Sequence, residues 1–209
     1  MNPDPAETTT GLRRILSYPA VYEAYDAVVG TRAVRRAFAR QYVRPFPRAK
    51  VLDLGCGPAR MLDHLSGVRY TGIDISAAYI NAARKRYGNR GRFILGSVTD
   101  VNFGQEEPFD IVVAFGLLHH VSDGTVRDLV SRAKSVLTRS GRLITLDPCF
   151  VENQNILARY LHQKDRGNHV RYVEGYLKLV GPAFSSVTHV VRHDLHFIPS
   201  TTLIMTCLP

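Results

Sequence analysis

The 209-residue sequence predicts an α/β domain, a mostly parallel sheet with helices on both faces. Three observations predict it. Short apolar runs at 50–54, 70–75, 93–95, 111–115 and 143–146 read as buried strands. Helix-like stretches at 60–65, 77–87 and 125–137 lie between them, and that alternation is the mark of parallel strands joined by crossover helices. The first run ends in a Gly-x-Gly loop and the second in an aspartate, both where such sheets bind ligands.

Ahead of the sheet, 12–43 has helical spacing and a break near Gly30. Val21, Tyr25, Val28 and Val29 form one stripe, and Val34, Ala37, Phe38 and Tyr42 another. Arg32, Arg35, Arg36, Arg40 and Arg44 crowd the second helix, and Pro45-Phe46-Pro47 ends it. The expected division is a helical cap over 1–47 and a main domain over 48–209. Within that domain, a helical insertion spans about 150–171. Its helix, 153–163, is expected to turn Ile156, Leu157, Tyr160 and Leu161 inward. A helix at 172–180 and a strand pair at 184–192 and 202–207, on either side of Pro199, complete the chain.

Composition narrows the class. Apolar residues make up 45% of the chain and charged residues 22%, so it can bury a core large enough to offset the entropy of ordering. Cys56, Cys149 and Cys207 are odd in number and widely spaced, which argues against a disulfide framework and for a reducing, cytoplasmic compartment. Residues 1–11 lack the basic-then-apolar pattern of a secretory signal, and the longest apolar stretch, 111–118, is too short to span a bilayer as a helix. A formal charge of +9 favours anionic partners: phosphorylated small molecules, nucleic acid or a membrane surface.

The loop chemistry selects a ligand. Asp53-Leu54-Gly55-Cys56-Gly57-Pro58-Ala59 lets the backbone approach a ligand closely, and Asp74 follows Gly55 by 19 positions, where a carboxylate can accept from two ribose hydroxyls. A dinucleotide loop requires a third glycine where this chain has Arg60. Asp53 would repel a pyrophosphate but attract a ligand carrying an amino group and a sulfonium. NAD and FAD are therefore disfavoured, and S-adenosylmethionine is favoured.

Val51-Leu52-Asp53-Leu54-Gly55-Cys56-Gly57, then Tyr70-Thr71-Gly72-Ile73-Asp74-Ile75-Ser76, then Phe109-Asp110-Ile111-Val112-Val113 leading to Leu117-Leu118-His119-His120, resemble the class I S-adenosylmethionine-dependent methyltransferases of the small-molecule type. The resemblance covers about residues 48–147 and includes Leu137-x-x-x-Gly141-Arg142-Leu143. It implies a Rossmann-like sheet of seven strands with the last antiparallel, S-adenosylmethionine as methyl donor and S-adenosylhomocysteine as product. By resemblance, Gly55, Gly57 and the surrounding backbone, Cys56 included, would hold the methionyl part. Asp53 would take its amino group and Asp74 the ribose. Ser97 and Val98 would receive the adenine, and Ile75 and Leu117 complete the cofactor set. Ala59 stands where many relatives have glycine, a change that costs little if the backbone there is ordinary.

Transfer to an alcohol requires removal of a proton during attack, and His119 and His120, closing the fourth strand, are the candidate bases. The expected acceptor contacts are Asp147, Arg166, His169 and Arg171, with Tyr18, Tyr22 and Tyr25 as a lid. Each has an ordinary alternative: a backbone-bound histidine, a capping aspartate, a solvated turn, core tyrosines. Adjacent histidines cannot readily face one ion and the cysteines are not paired in spacing, so no metal is expected. The leading expectation is methyl transfer to a small-molecule hydroxyl, on an acceptor able to carry negative charge. The alternatives are an RNA or DNA methyltransferase, an inactive cofactor-binding protein, and a peripheral enzyme resting on anionic membrane.

Overall fold

The computed structural model describes residues 30–99, 107–165 and 167–209. The first expected helix, with Tyr18, Tyr22 and Tyr25, lies outside these, as does Arg166. Strands β1 (Lys50–Leu54), β2 (Arg69–Asp74), β3 (Gly91–Leu95), β4 (Phe109–Phe115), β5 (Leu137–Phe150), β7 (Ser186–Arg192) and β8 (Thr202–Leu208) form one sheet in the order β3-β2-β1-β4-β5-β8-β7. β1 to β5 are parallel, and β8 runs antiparallel to both of its neighbours. A two-residue β6 (Arg171–Tyr172) pairs with the end of β5, off that path. The strand order reverses between β1 and β4, and this switch point opens a crevice at the carboxyl edge.

Strand alternation sends successive side chains to opposite faces. Leu52, Leu54, Val112 and Ala114 pack on one face under α3 (Asp123–Ser135) and α5 (Val173–Val180). Val51, Ile111 and Val113 pack on the other under α1 (Thr31–Phe38), its continuation Ala39–Val43 and α2 (Ala77–Tyr87). Val34, Phe38, Ala39 and Val43 belong to this second core, so the described part of the expected cap is built into one face of the sheet. Ser76 and Ser122 cap α2 and α3 by accepting the amide N–H groups of Tyr79 and Thr125. Residues 60–64 form a tight 3-10 turn in place of a full helix.

Two further expectations change. The fifth strand extends well beyond 143–146, because β4 and β8 flank it. The β4 ladder ends at Leu146, so Pro148 is tolerated where no β4 carbonyl needs a donor. The inserted helix α4 (Ile156–Gln163) faces the other way from the expected register. Ala158 and His162 are buried, whereas Ile156 is 87% exposed and Leu157 and Tyr160 are also exposed. The buried face is set by hydrogen bonds: His162 Nδ1 meets the Cys149 carbonyl at 3.1 Å and Gln154 Nε2 at 3.2 Å, and its Nε2 meets Ser200 Oγ at 3.3 Å.

The reversed helix gives the first prediction. Ile156→Ser should leave unfolding free energy within about 0.5 kcal/mol of wild type, while Ala158→Glu, which buries a charge, should cost more than about 2 kcal/mol in urea titrations. The opposite ranking would restore the expected register.

Candidate active site

The loop after β1 is shaped by three left-handed residues, Gly55 (φ +64°), Gly57 (φ +55°) and Ala59 (φ +57°). A Cβ on Gly55 would stand 2.7 Å from Leu117 Cδ1 on a left-handed backbone, so glycine lets β1 leave the sheet beneath that leucine without strain or a shift of its side chain. At Gly57 a Cβ would meet nothing within 4 Å among the described residues, so this backbone faces open space. Ala59 does not meet the condition for a cheap substitution, since its left-handed backbone costs a non-glycine residue about 1–2 kcal/mol. Its fully buried methyl group offsets part of that cost. Cys56 continues the ladder by donating its N–H to the Ile73 carbonyl (2.9 Å), and its Sγ packs where a side chain on Gly72 would otherwise stand.

Asp74 closes β2 with both oxygens anchored. The Gly57 N–H donates to Oδ2 and the Ser76 N–H to Oδ1, each at 2.8 Å. A carboxylate oxygen has more than one acceptor direction, so these two amide bonds do not by themselves exhaust the group. Beside it Ile75 is 62% exposed, an apolar surface at the crevice mouth. Across the mouth, Val98 packs partly buried, and the Ser97 hydroxyl turns onto its own loop, pairing with Thr99 Oγ1 at 2.7 Å.

Asp53 lies on the α1 face of the sheet and is buried. Burial pushes its carboxyl up to about 7, against the lowering effects of a hydrogen bond from the Tyr70 hydroxyl (2.6 Å) and of nearby Arg35. Arg35 is itself buried, its guanidinium 5.4 Å from the centre of the Phe115 ring. Neither partner was singled out from the sequence. The signal was parity, because Val51 pairs with Tyr70 and residues two apart share a face, so Asp53 and Tyr70 belong to one side of the sheet.

After β4, Gly116 (φ +65°) turns the chain into a 3-10 turn over Leu118–His120. His119 is buried there, and one oxygen of the buried Asp147 meets its backbone N–H (3.2 Å) and its ring Nδ1 (2.9 Å). Asp147 thus lies within β5 and serves this turn, while its Oδ2 has no partner among the described residues. Asp165 Oδ1 stands 3.4 Å from the other ring nitrogen, Nε2. Burial alone would lower the His119 pKa, but bonds to Asp147 and Asp165 raise it to about 9. Burial raises Asp147, whereas His119 holds Asp165 well below its ordinary value despite burial. The His120 ring lies against that of His119, with centroids 4.0 Å apart.

The polar run after α4 folds onto this turn. His169 donates its backbone N–H to the His119 carbonyl (3.0 Å), and any side chain at Gly167 would run into His119. Arg171, expected to reach an acceptor, is occupied as a rivet. Its guanidinium donates to the carbonyls of Leu118 (2.9 Å), Val121 (2.8 Å) and His169 (2.8 Å) and to Asp123 (2.8 Å). A 3-10 turn leaves carbonyls without helical partners, and Arg171 supplies their donors. Asp165 and Gly167 are the parts of this arrangement that the sequence did not single out; the signal was their place in the polar run.

An open glycine loop, an anchored carboxylate, an exposed isoleucine and a buried acid beside a buried arginine fit a nucleoside joined to an amino-acid chain. The strand order and this crevice define a Rossmann-like fold of the methyltransferase type. Residues 51–141 match the family described as methyltransferase domain, and this core is similar to the class I S-adenosylmethionine-dependent methyltransferases. S-adenosylmethionine is the cofactor of that class.

O-methyltransferase cnsE of Penicillium expansum is 31% identical over 146 residues, 64% of this chain and 50% of that protein. Ribosomal RNA small subunit methyltransferase C of Actinobacillus pleuropneumoniae is 27% identical over 150 residues, 68% of this chain and 45% of that one. The chain thus spans about half the length of these curated relatives. Among solved structures, the plantazolicin methyltransferase BpumL, in complex with a triazolic desmethylPZN analog and SAH, superposes with a TM-score of 0.68 at 14% identity and covers 92% of both chains. Mitomycin 7-O-methyltransferase MmcR gives a TM-score of 0.66 at 15% identity, over 94% of this chain and 60% of that one. These two likenesses bear on the fold. Among the described residues, no helix is long and apolar enough to cross a membrane and no cluster of three or more acidic, histidine or cysteine side chains is placed to hold a metal.

The pair of His119 and Asp165 has a pH signature. A raised histidine contributes stability in full below its ordinary pKa of 6.5 and loses it as pH rises through about 9. A depressed Asp165 contributes above its ordinary 3.8 and loses that contribution as pH falls below it. The melting-temperature advantage of wild type over His119→Gln should therefore shrink between about pH 6.5 and about 9.5. Parallel melting curves over that range would contradict the clasp.

Proposed function

We propose that this chain transfers the methyl group of S-adenosylmethionine to a hydroxyl oxygen of a small-molecule acceptor, with His119 accepting the proton under the control of Asp147. The observation that supports the reading is the buried His119–Asp147 pair just past the carboxyl end of β4, the sheet edge at which Gly55, Gly57 and Asp74 also lie. When bound, S-adenosylmethionine supplies a methyl group on a sulfonium, which leaves as a neutral thioether when the acceptor oxygen attacks.

The residues divide the remaining work. Asp74 holds the ribose hydroxyls, and Ile75 and Val98 border the adenine, with Ser97 beside it. Gly55, Cys56, Gly57 and Leu117 shape the passage for the methionyl part. Asp53 and Arg35, acid and base side by side on one face, match its ammonium and carboxylate groups. Asp147 keeps a proton on His119 Nδ1, so that Nε2 is the face that receives the acceptor proton. Asp165 stands over Nε2 at 3.4 Å, a long approach that an acceptor hydroxyl can displace. Losing that carboxylate lowers the histidine pKa and makes the neutral, basic form accessible. The His120 ring walls the same space, and the described part of the 164–169 run closes it.

Calorimetry with S-adenosylhomocysteine, followed by a screen of hydroxylated acceptors, tests this. Asp74→Ala should abolish product binding. His119→Gln should keep affinity within about twofold while cutting kcat by about a hundredfold or more. The wild-type rate should rise with pH toward the His119 pKa, because only the neutral ring accepts a proton. Full activity in His119→Gln would remove the proton-acceptor role. The ribosomal RNA relatives and the charge of +9 favour one second reading, an RNA acceptor, for which salt-sensitive RNA binding that competes with small hydroxylated acceptors is the sign.

A further inference from the structure

The edge of the sheet opposite the crevice carries a separate feature. In a parallel sheet all strands begin at one edge, so their first side chains are brought side by side. Lys50 of β1 is in register with Arg69 of β2, and Thr71 of β2 with Arg92 of β3. Arg90 and Asn89 come from the turn that leads into β3. Together with Glu107, these line a concave pocket of about 630 Å³, ample for a nucleotide-sized ligand.

Its charge is unbalanced. Among the described lining residues, Lys50, Arg69 and Arg92 accompany one carboxylate, while Arg90 donates to the Leu62 carbonyl (3.4 Å) and lies over the Tyr87 ring. Glu107 is exposed at the mouth, its Oε2 bonded to the Lys50 ammonium and 3.3 Å from Arg69 Nη1. One acid therefore holds two neighbouring cations together, and like charges so close need an answering anion. Among the described residues, the aromatic rings in the wall, Tyr70 and Phe109, are buried and offer no face for stacking unpaired bases. Guanidinium groups grip phosphate oxygens in pairs, and an ammonium adds a point charge, so the donors present suit phosphate.

We infer that this pocket binds a phosphate-rich small ligand, one bearing at least two phosphate groups, and that Glu107 occupies the cation pair until the ligand displaces it. The site lies across the sheet from the proposed methyl-transfer crevice and does not depend on it. The role of Glu107 has a sign that a merely sticky basic surface would not share, because removing this carboxylate removes a competitor.

Calorimetric titration of the whole chain with inorganic tripolyphosphate, pyrophosphate and ADP tests the site, with S-adenosylhomocysteine affinity and thermal melts as folding controls. Saturable one-to-one binding is expected. Arg69→Gln with Arg92→Gln should weaken it about tenfold or more, and Glu107→Gln should tighten it about threefold or more. ADP binding more tightly than pyrophosphate would mark a nucleotide, and equal affinity a free polyphosphate. Unsaturable binding, indifference to the arginine substitutions, or weaker binding in Glu107→Gln would overturn the site. Tighter capture of a short single-stranded RNA than of tripolyphosphate would equally overturn it in favour of a nucleic-acid surface.

Discussion

Asp147 sits on β5 where water does not reach, and a carboxylate so placed must be answered by donors. Both donors on one of its oxygens come from a single residue, the backbone and ring of His119. That bond ties the turn after β4 to the neighbouring strand, and the rest of this side of the crevice is built on it. Arg171 satisfies the carbonyls of the turn, His169 adds a backbone bond, and Gly167 fits only because it has no side chain. Removing one partner from such an arrangement leaves a buried charge without an answer, which is why the cluster behaves as a unit.

The other side of the crevice uses the same economy. Asp74 is oriented by the amide of Gly57, so the residue that shapes the loop also aims the carboxylate. Asp53 is kept near neutrality by burial and steadied by Tyr70, with Arg35 close by. A crevice of this kind presents an acid, a base, an anchored carboxylate and an apolar ledge along the carboxyl ends of β1, β2 and β4. The opposite edge, where the described lining residues set Lys50, Arg69 and Arg92 beside one exposed acid, has a different electrostatic character.

Much of the fold was legible because its signals are local. Alternating apolar runs and helical periods located strands and helices, and Asp53, Gly55, Gly57 and Asp74 stood together in the sequence motifs. What escaped was set by distant partners. In α4 the apolar Ile156, Leu157 and Tyr160 outnumber Ala158 and His162, yet the helix buries the latter because Cys149, Gln154 and Ser200 offer His162 its bonds. Arg171 read as an acceptor contact, and only the folded turn reveals the carbonyls it serves. Ala59 read as a mild replacement for glycine, and its left-handed backbone depends on the path of the whole loop. The roles of the two adjacent histidines were not separable from spacing, and the position of Asp147 within β5 is what distinguishes them.

The central claim is that Asp147 holds a proton on His119 Nδ1 and leaves Nε2 as the working face. Nitrogen-15 NMR of the His119 ring across a pH titration tests it most directly. The account predicts an Nδ1 proton held throughout and a ring that titrates near 9 before any acceptor is bound. A ring that titrates at or below 6.5, its ordinary value, or a neutral form carrying its proton on Nε2, would contradict it.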